Sequence, residues 1–431
     1  MGRSVNLAYG RNGLTVKFPD EAVLTLIHKK APLHLPDPHA AIRHALDVPI
    51  GSASLKELAR GRRSACILIC DITRPVPNHL FLRPMIEDLL AGGVPASEIT
   101  VLIATGLHRP CEDNELEELV GDPWVLSRVR VVNHMARVDA DHLDLGHTST
   151  RGTPVKIDRR FVEADLRIAT GLVEPHFMAG YSGGRKVVAP GVAHADTIRT
   201  FHNARFMEDP FATQCNLERN PLHEEQLEIV RMMGEIYALN TVTDEERRLS
   251  YVSFGEIIAS HLAAVEFARK SCEVRVPRRF KTVVTSSAGY PLDKTYYQTV
   301  KSMVTPLDIL EPGGTLIVAS ACSEGLGSKE FREAQTKLVA LGPDGFLQSI
   351  VAKPLADVDE WTTEMQLKPL RRGRVAFYTG GLNEAERQIT GVEIVASVEE
   401  AIRDSVVRTG DRAIAVIPEG PYVIPFHAAA V

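Results

Sequence analysis

Apolar residues fall along this chain in short blocks separated by stretches of helical period. ACILIC (65–70) is six apolar positions in a row, the pattern of a strand buried on both faces in a parallel sheet. A helix is predicted after it over 78–91, stopped by Gly92-Gly93. ITVLIAT (99–105) is the next strand, followed by an acidic helix near 113–120, then VRVVN (129–133) and DLRIATGLV (165–173) as further strands. Strand and helix alternate, which is the mark of a doubly wound α/β domain.

Ahead of this set, SVNLAY and LTVKF flank Gly10-Arg11-Asn12-Gly13, an Asn-Gly turn signal that predicts an opening hairpin. Asp37-Pro38 caps a short helix, and SLKELAR ends at Gly61 as another. Between about 221 and 272, LHEEQLEIVRMM and FGEIIASHLAAVEFARKSC predict two long helices that join the first set to a second. That second set carries KTVVTSS, GTLIVAS, RVAFYTG and AIAVIPEG with helices between. The expectation is two α/β domains, 1–275 and 276–431, with mostly parallel sheets, a helical hinge between them and an active site in the interdomain cleft.

Composition narrows the classes. With 44% hydrophobic and 24% charged residues the chain has an ordinary globular balance, so disorder and fibrous repeats are excluded. A formal charge of −6 offers no broad basic footprint, and nucleic acid and anionic membrane are not expected partners. The opening residues hold no apolar run of signal-peptide type and no stretch approaches 18 apolar residues. Six cysteines are scattered without a CxxC pair, which argues for free thiols in a reducing cytoplasm rather than a disulfide framework. Cys66 and Cys70, inside an apolar run, are expected to be buried and inert.

Chemistry collects where strands end, as ligands do in open α/β sheets. The first run exits into Asp71-Ile72-Thr73-Arg74-Pro75, the second into Thr105-Gly106-Leu107-His108-Arg109-Pro110, and another into Glu174-Pro175-His176. Each puts polar side chains on a loop stiffened by proline. The last continues through Phe177 and Met178 to Gly180-Tyr181-Ser182-Gly183-Gly184-Arg185-Lys186, a glycine-rich turn whose backbone amides and terminal cations suit an anion. It is no Walker A loop, since Val187 follows Lys186. His202 lies in DTIRTFHNARF, read as a helix from Asp196.

Taken together, DxTRP, TGLHRP, EPHxxAGxSGGRK, a histidine sixteen residues after that lysine, and YQxxK at Tyr297–Lys301 resemble the nickel-dependent lactate racemase family. Those racemases and epimerases of 2-hydroxy acids use a nickel-pincer nucleotide, and the resemblance runs from the opening hairpin past Trp361. It implies His202 as the nickel ligand, a role imidazole suits. It implies Lys186 at the cofactor, held by a covalent thioamide or by charge alone, with Asp71, Gly183, Gly184, Arg185, Tyr297 and Trp361 also about it. Asp71 would orient either the cofactor or Arg74.

The resemblance further implies His108 and His176 as the paired acid and base, and Arg74, Gln298 and Lys301 as binders of the substrate carboxylate. The implied reaction inverts C2 through a 2-keto acid, with hydride passing to the cofactor and the hydroxyl proton to an imidazole. Proteins that build and insert the cofactor are implied partners. Lactate, malate-like, aromatic and sugar-acid substrates all stay open. Two other readings compete: a zinc hydrolase built on His108, His176 and His202, and an inactive nucleotide-binding homologue. The first lacks an HExxH pattern, and the second predicts loss of one of the paired histidines, both of which are present.

Overall fold

The protein was analysed as a computed structural model that describes residues 3–30, 33–244 and 246–428. The outermost residues of the two expected domains, Met1, Gly2 and 429–431, lie outside these. Strands and helices alternate along the chain as the periodicity predicts, and the architecture is α/β with mostly parallel sheets.

The chain divides into two units. One comprises residues 31–201 and 210–270, and the other 1–30, 202–209 and 271–431. We call them the amino-terminal and carboxy-terminal units. The single boundary expected near 275 lies close to the last of these crossings, but two pieces of the expected first domain group with the second. For 202–209 the reason is the helix Ala204–Met207, whose Ala204 packs with Leu338 and Leu367; for 1–30 it is strand pairing that no local pattern reveals. Val23–Leu26 adds in parallel to Ala413–Ile417, and the hairpin Ser4–Leu7 with Leu14–Lys17 places Leu7, Val16 and Phe18 in one core with Val284, Ile317 and Val416. Asp293 fastens the junction, its Oδ2 accepting from Gly10 N at 2.7 Å and Ala321 N at 3.1 Å.

In the amino-terminal unit six strands lie in the order Leu249–Glu256, Tyr237–Thr243, Leu166–Leu172, Ala65–Cys70, Ile99–Ala104, Arg130–Asn133. All neighbours are parallel except the first pair. From Ala65–Cys70 the chain moves outward through Ile99–Ala104 to Arg130–Asn133, then returns to Leu166–Leu172 on the other side. The sheet therefore has its topological switch point between Ala65–Cys70 and Leu166–Leu172, where a crevice opens at the carboxyl ends. Ile67, Ile69, Val101, Ile103 and Ile168, all fully buried, fill the core under it with Phe81, Met85 and Leu89 of the helix Asn78–Ala91.

The two helices read between 221 and 272 are Pro221–Met232 and Ile257–Cys272. Between them run Tyr237–Thr243 and Leu249–Glu256, which complete the sheet rather than lengthen a connection. The carboxy-terminal unit holds a second sheet of six parallel strands, in the order Glu393–Ile394, Arg374–Tyr378, Leu310–Ala319, Phe280–Ser286, Ala413–Ile417, Val23–Leu26. All six cysteines are free, and five are buried. Burial pushes the sixth, Cys70, which is only partly accessible, up to about 12, so it stays a thiol at neutral pH. Among the described residues no helix is long and apolar enough to cross a membrane.

Candidate active site

The crevice of the amino-terminal unit is lined by the three strand exits. After Cys70 the chain turns at Asp71, a buried carboxylate whose Oδ1 accepts from the Thr73 hydroxyl at 2.6 Å and from Thr73 N at 3.2 Å. This is a side-chain-capped turn that fixes Asp71 and aims its second oxygen outward. That oxygen, Oδ2, lies 2.6 Å from Nδ1 of His108, which the neighbouring strand delivers on its own exit. His108 is placed by a turn in which its N–H donates to Thr105 O at 3.0 Å. Its side chain is 60% exposed while that of Asp71 is 6% exposed, so the buried acid anchors an imidazole that faces outward.

Burial works to raise the Asp71 pKa. The His108 and Thr73 hydrogen bonds and the charge of Arg74 outweigh it and hold the carboxyl below the usual carboxylate range. Arg74 itself pairs with Glu174 at 3.3 Å, both about one third exposed. Glu174 begins the third exit. Its pattern position predicted no role, since nothing in the chain links it to Arg74 one hundred residues away.

The third exit is a tight two-residue hairpin, with Pro175–His176 paired to Gly180–Tyr181. Ser182 locks it to the sheet, its Oγ donating to Leu172 O at 2.7 Å and accepting from Glu174 N at 3.0 Å. Within the hairpin the His176 ring turns back on its own chain. Nδ1 accepts from Ala179 N at 3.2 Å and Met178 N at 3.4 Å. Phe177 lies against the same ring, 5.2 Å between centroids.

The glycine-rich turn follows. Gly183 has φ +81, and a Cβ there would meet Val173 Cγ2 at 2.5 Å; Gly184 has φ +47 with His261 at 3.0 Å. Both positions need glycine for conformation and for space. Asn240 Oδ1 holds the Gly184 N–H at 2.9 Å. Lys186 is half-buried, and its charge reaches Cys70 at the end of the adjoining strand.

Arg185 departs from expectation. Rather than offering charge at the end of the turn, it is 1% exposed and points into the unit. Nε donates to His223 Nδ1 at 2.8 Å and Nη2 to Ala179 O at 3.1 Å, and Nη1 lies 2.8 Å from His261 Nε2. Its neighbours therefore make it a brace for the turn. Burial, with the Arg185 charge beside it, pushes the His223 imidazole down to about 3, which keeps that ring a neutral acceptor.

The remaining residues belong to the carboxy-terminal unit. The helix read from Asp196 through His202 is broken. Ala195–Phe201 ends before His202, and Asn203 caps Ala204–Met207 by accepting from Arg205 N at 3.1 Å. An asparagine that captures a backbone N–H ends one helix and starts another, so His202 sits at the joint. It is 7% exposed, and its ring lies 4.9 Å from that of Trp361, which is also buried.

Gln298 and Lys301 lie three residues apart on the helix Tyr296–Val304, both half-buried and on one side. Gln298 Oε1 is buried with no hydrogen-bond partner among the described residues. A buried acceptor left unsatisfied is costly. Tyr297 packs edge-on against Phe331 at 5.1 Å.

The structure thus brings Asp71, His108 and Arg74 together with the glycine-rich turn in one unit, and His202 together with Trp361 in the other. Among the described residues no group of three or more His, Cys, Asp or Glu side chains is placed to hold a metal ion. The described side chains do not form a three-histidine zinc site.

Comparisons with known proteins match the chain over nearly its whole length. The family model described as the lactate racemase N-terminal domain matches residues 9–214, and that of the lactate racemase C-terminal domain matches 277–425. A lactate racemase of Thermoanaerobacterium thermosaccharolyticum is 30% identical over 435 residues, covering 98% of this chain and 99% of that protein. One from Lactiplantibacillus plantarum is 30% identical over 426 residues, with the same shares covered. The solved structure of the T. thermosaccharolyticum lactate racemase apoprotein superposes with a TM-score of 0.90 at 28% identity, over 98% of this chain and 100% of that one. A Thermotoga maritima protein shares the fold at 16% identity with a TM-score of 0.67, over 93% of this chain and all of that one.

Proposed function

The chain belongs to the lactate racemase family and is an isomerase of the racemase class; from that premise we propose that it inverts C2 of a 2-hydroxy acid of lactate type through a 2-keto acid, using a nickel-pincer nucleotide. The observation that carries the reading is the Asp71–His108 pair at the switch-point crevice, a buried anion anchoring an exposed imidazole.

The residues present fit the nucleotide. The turn at Gly183 and Gly184, packed closely against Val173 and His261, carries half-buried Lys186, the cation for an anionic group of the cofactor. His202, one imidazole held against Trp361, is a suitable donor for a metal whose other donors come with the cofactor. Lys186 holds the group by charge or by a bond. When bound, the nucleotide supplies the acceptor for the C2 hydride.

The chain's own side chains do the rest. Arg74 and Lys301 are the cations for the substrate carboxylate, to which the Gln298 side-chain amide N–H also donates. His108 and His176 exchange the hydroxyl proton. Loss of hydride from one face of C2 leaves a planar carbonyl, and return to the opposite face gives the other enantiomer. Cofactor-building proteins are the partners this reading requires.

The test is a panel of enantiopure 2-hydroxy acids, lactate first, incubated with full-length protein made with and without the cofactor-building enzymes and followed by chiral chromatography. Loaded protein is expected to racemise lactate or a near relative, and unloaded protein to leave every acid unchanged. Racemisation by unloaded protein supplied with zinc would contradict the cofactor assignment.

A further inference from the structure

His108 and His176 match the same role in the family pattern, yet the structure holds their rings in opposite ways. A carboxylate oxygen can only accept, so Asp71 Oδ2 at 2.6 Å requires a proton on Nδ1 of His108. In the neutral ring the lone pair is then on Nε2, the nitrogen on the exposed side. A backbone N–H can only donate, so the Met178 and Ala179 amides at 3.4 and 3.2 Å require a lone pair on Nδ1 of His176. In the neutral ring the proton is then on Nε2. Which nitrogen carries the proton is set by what the other one meets.

We propose that the two acid-base histidines rest in opposite tautomers, His108 presenting a base at Nε2 and His176 presenting an N–H, so that one substrate enantiomer is served directly and the other only after the 177–179 turn releases His176. The inference rests on the racemase reading for its substrate and on the hydrogen bonds alone for its tautomers.

The proton step shows the difference. For the enantiomer whose hydroxyl meets His108, the O–H bond breaks and an N–H bond forms at Nε2. The ring becomes imidazolium, still donating from Nδ1 to Asp71, and no partner has to move. For the enantiomer whose hydroxyl meets His176, Nε2 already carries a proton. That ring can accept one there only after its own proton has moved to Nδ1, where two amide N–H groups point at it. The hairpin must first turn those amides away. Neither amide is a ladder position of the hairpin, but Arg185 Nη2 holds Ala179 O and Asn220 Nδ2 holds Met178 O, so the release has to break those bonds as well.

Asp71 and the turn are positioning elements here, and the two imidazoles are the catalytic residues. To complete a turnover, His108 returns its extra proton to solvent, and the alkoxide formed when hydride returns takes one from solvent; His176 can donate and remain neutral only when it enters as imidazolium, which also requires the turn to release Nδ1.

The direct test is nitrogen-15 NMR of the histidine side chains in the full-length protein, with and without cofactor, assigned with His108→Gln and His176→Gln. The expected result is a protonated Nδ1 in His108 and a protonated Nε2 in His176. Asp71→Ala should release His108 alone toward the Nε2–H form. The same tautomer in both rings, or Nδ1–H in His176, overturns the proposal.

A second readout keeps it separable from folding defects. First-turnover keto acid should form from one enantiomer with loaded His176→Gln at least about tenfold faster than from the other with loaded His108→Gln; equal rates overturn the asymmetry. Opposite tautomers in a loaded protein that racemises no 2-hydroxy acid would support the assignment and refute the racemase reading.

Discussion

At the scale of single residues, the reading stands on Asp71, His108 and His176, and each has a measurable consequence. His108→Ala and His176→Ala should each lower racemisation from both enantiomers by about a hundredfold or more, the usual worth of positioned acid-base catalysis. Chiral chromatography of initial rates checks this, and full racemisation by either variant would contradict the paired model. These residues were legible because each stands immediately after an apolar run, where an α/β sheet exposes side chains. Their partners were not. Arg74 finds Glu174 across one hundred positions, and Arg185, read as a cation for a ligand, is turned onto His223 and His261 by packing that no local spacing encodes. A run of charge next to glycines says that a cation is near the turn; only the fold says which of Arg185 and Lys186 faces out.

At the scale of elements, the long periodic helices and continuous apolar strands were read well, and short or interrupted pieces were not. The break at His202–Asn203 escaped because its cause, a side chain accepting from Arg205 N, competes with a helical pattern that looks unbroken. The strands Tyr237–Thr243 and Leu249–Glu256 were hidden between two strong helices. One helix makes a prediction of its own. Glu364, on Glu360–Arg372, is 1% exposed, and its Oε1 has no hydrogen-bond partner among the described residues. Burial first, then Glu208 and Glu360, push its pKa up to about 9 against the pull of Lys368 and Arg371. The folded protein therefore holds this proton more tightly than the unfolded chain does. Its contribution to stability is complete below the ordinary carboxyl range and is lost as pH rises through about 9. Glu364→Gln, which cannot ionise, should be more stable than the parent by about 2 kcal/mol or more at pH 8 and nearly equal to it at pH 5. Denaturant melts at the two pH values check this, and a gain that does not grow with pH would contradict it.

At the scale of the whole molecule, alternation of strand and helix revealed two α/β sets, and the chain's partition into units followed it except where strands pair across long separations. Residues 1–30 group with the carboxy-terminal unit for that reason, and 202–209 through the helix Ala204–Met207, whose Ala204 shares a core with Leu338 and Leu367. The same partition puts His108, His176 and Lys186 in one unit and His202, Gln298, Lys301 and Trp361 in the other. In the proposed reaction the C2 hydrogen leaves as hydride to a bound acceptor and returns to the opposite face, while only the hydroxyl proton passes through histidine. Enantiopure lactate deuterated at C2, racemised in ordinary water by the cofactor-loaded protein and analysed by mass after chiral separation, tests this most directly. The inverted enantiomer is expected to keep its deuterium; an inverted product carrying hydrogen from water at C2 would rule out hydride transfer.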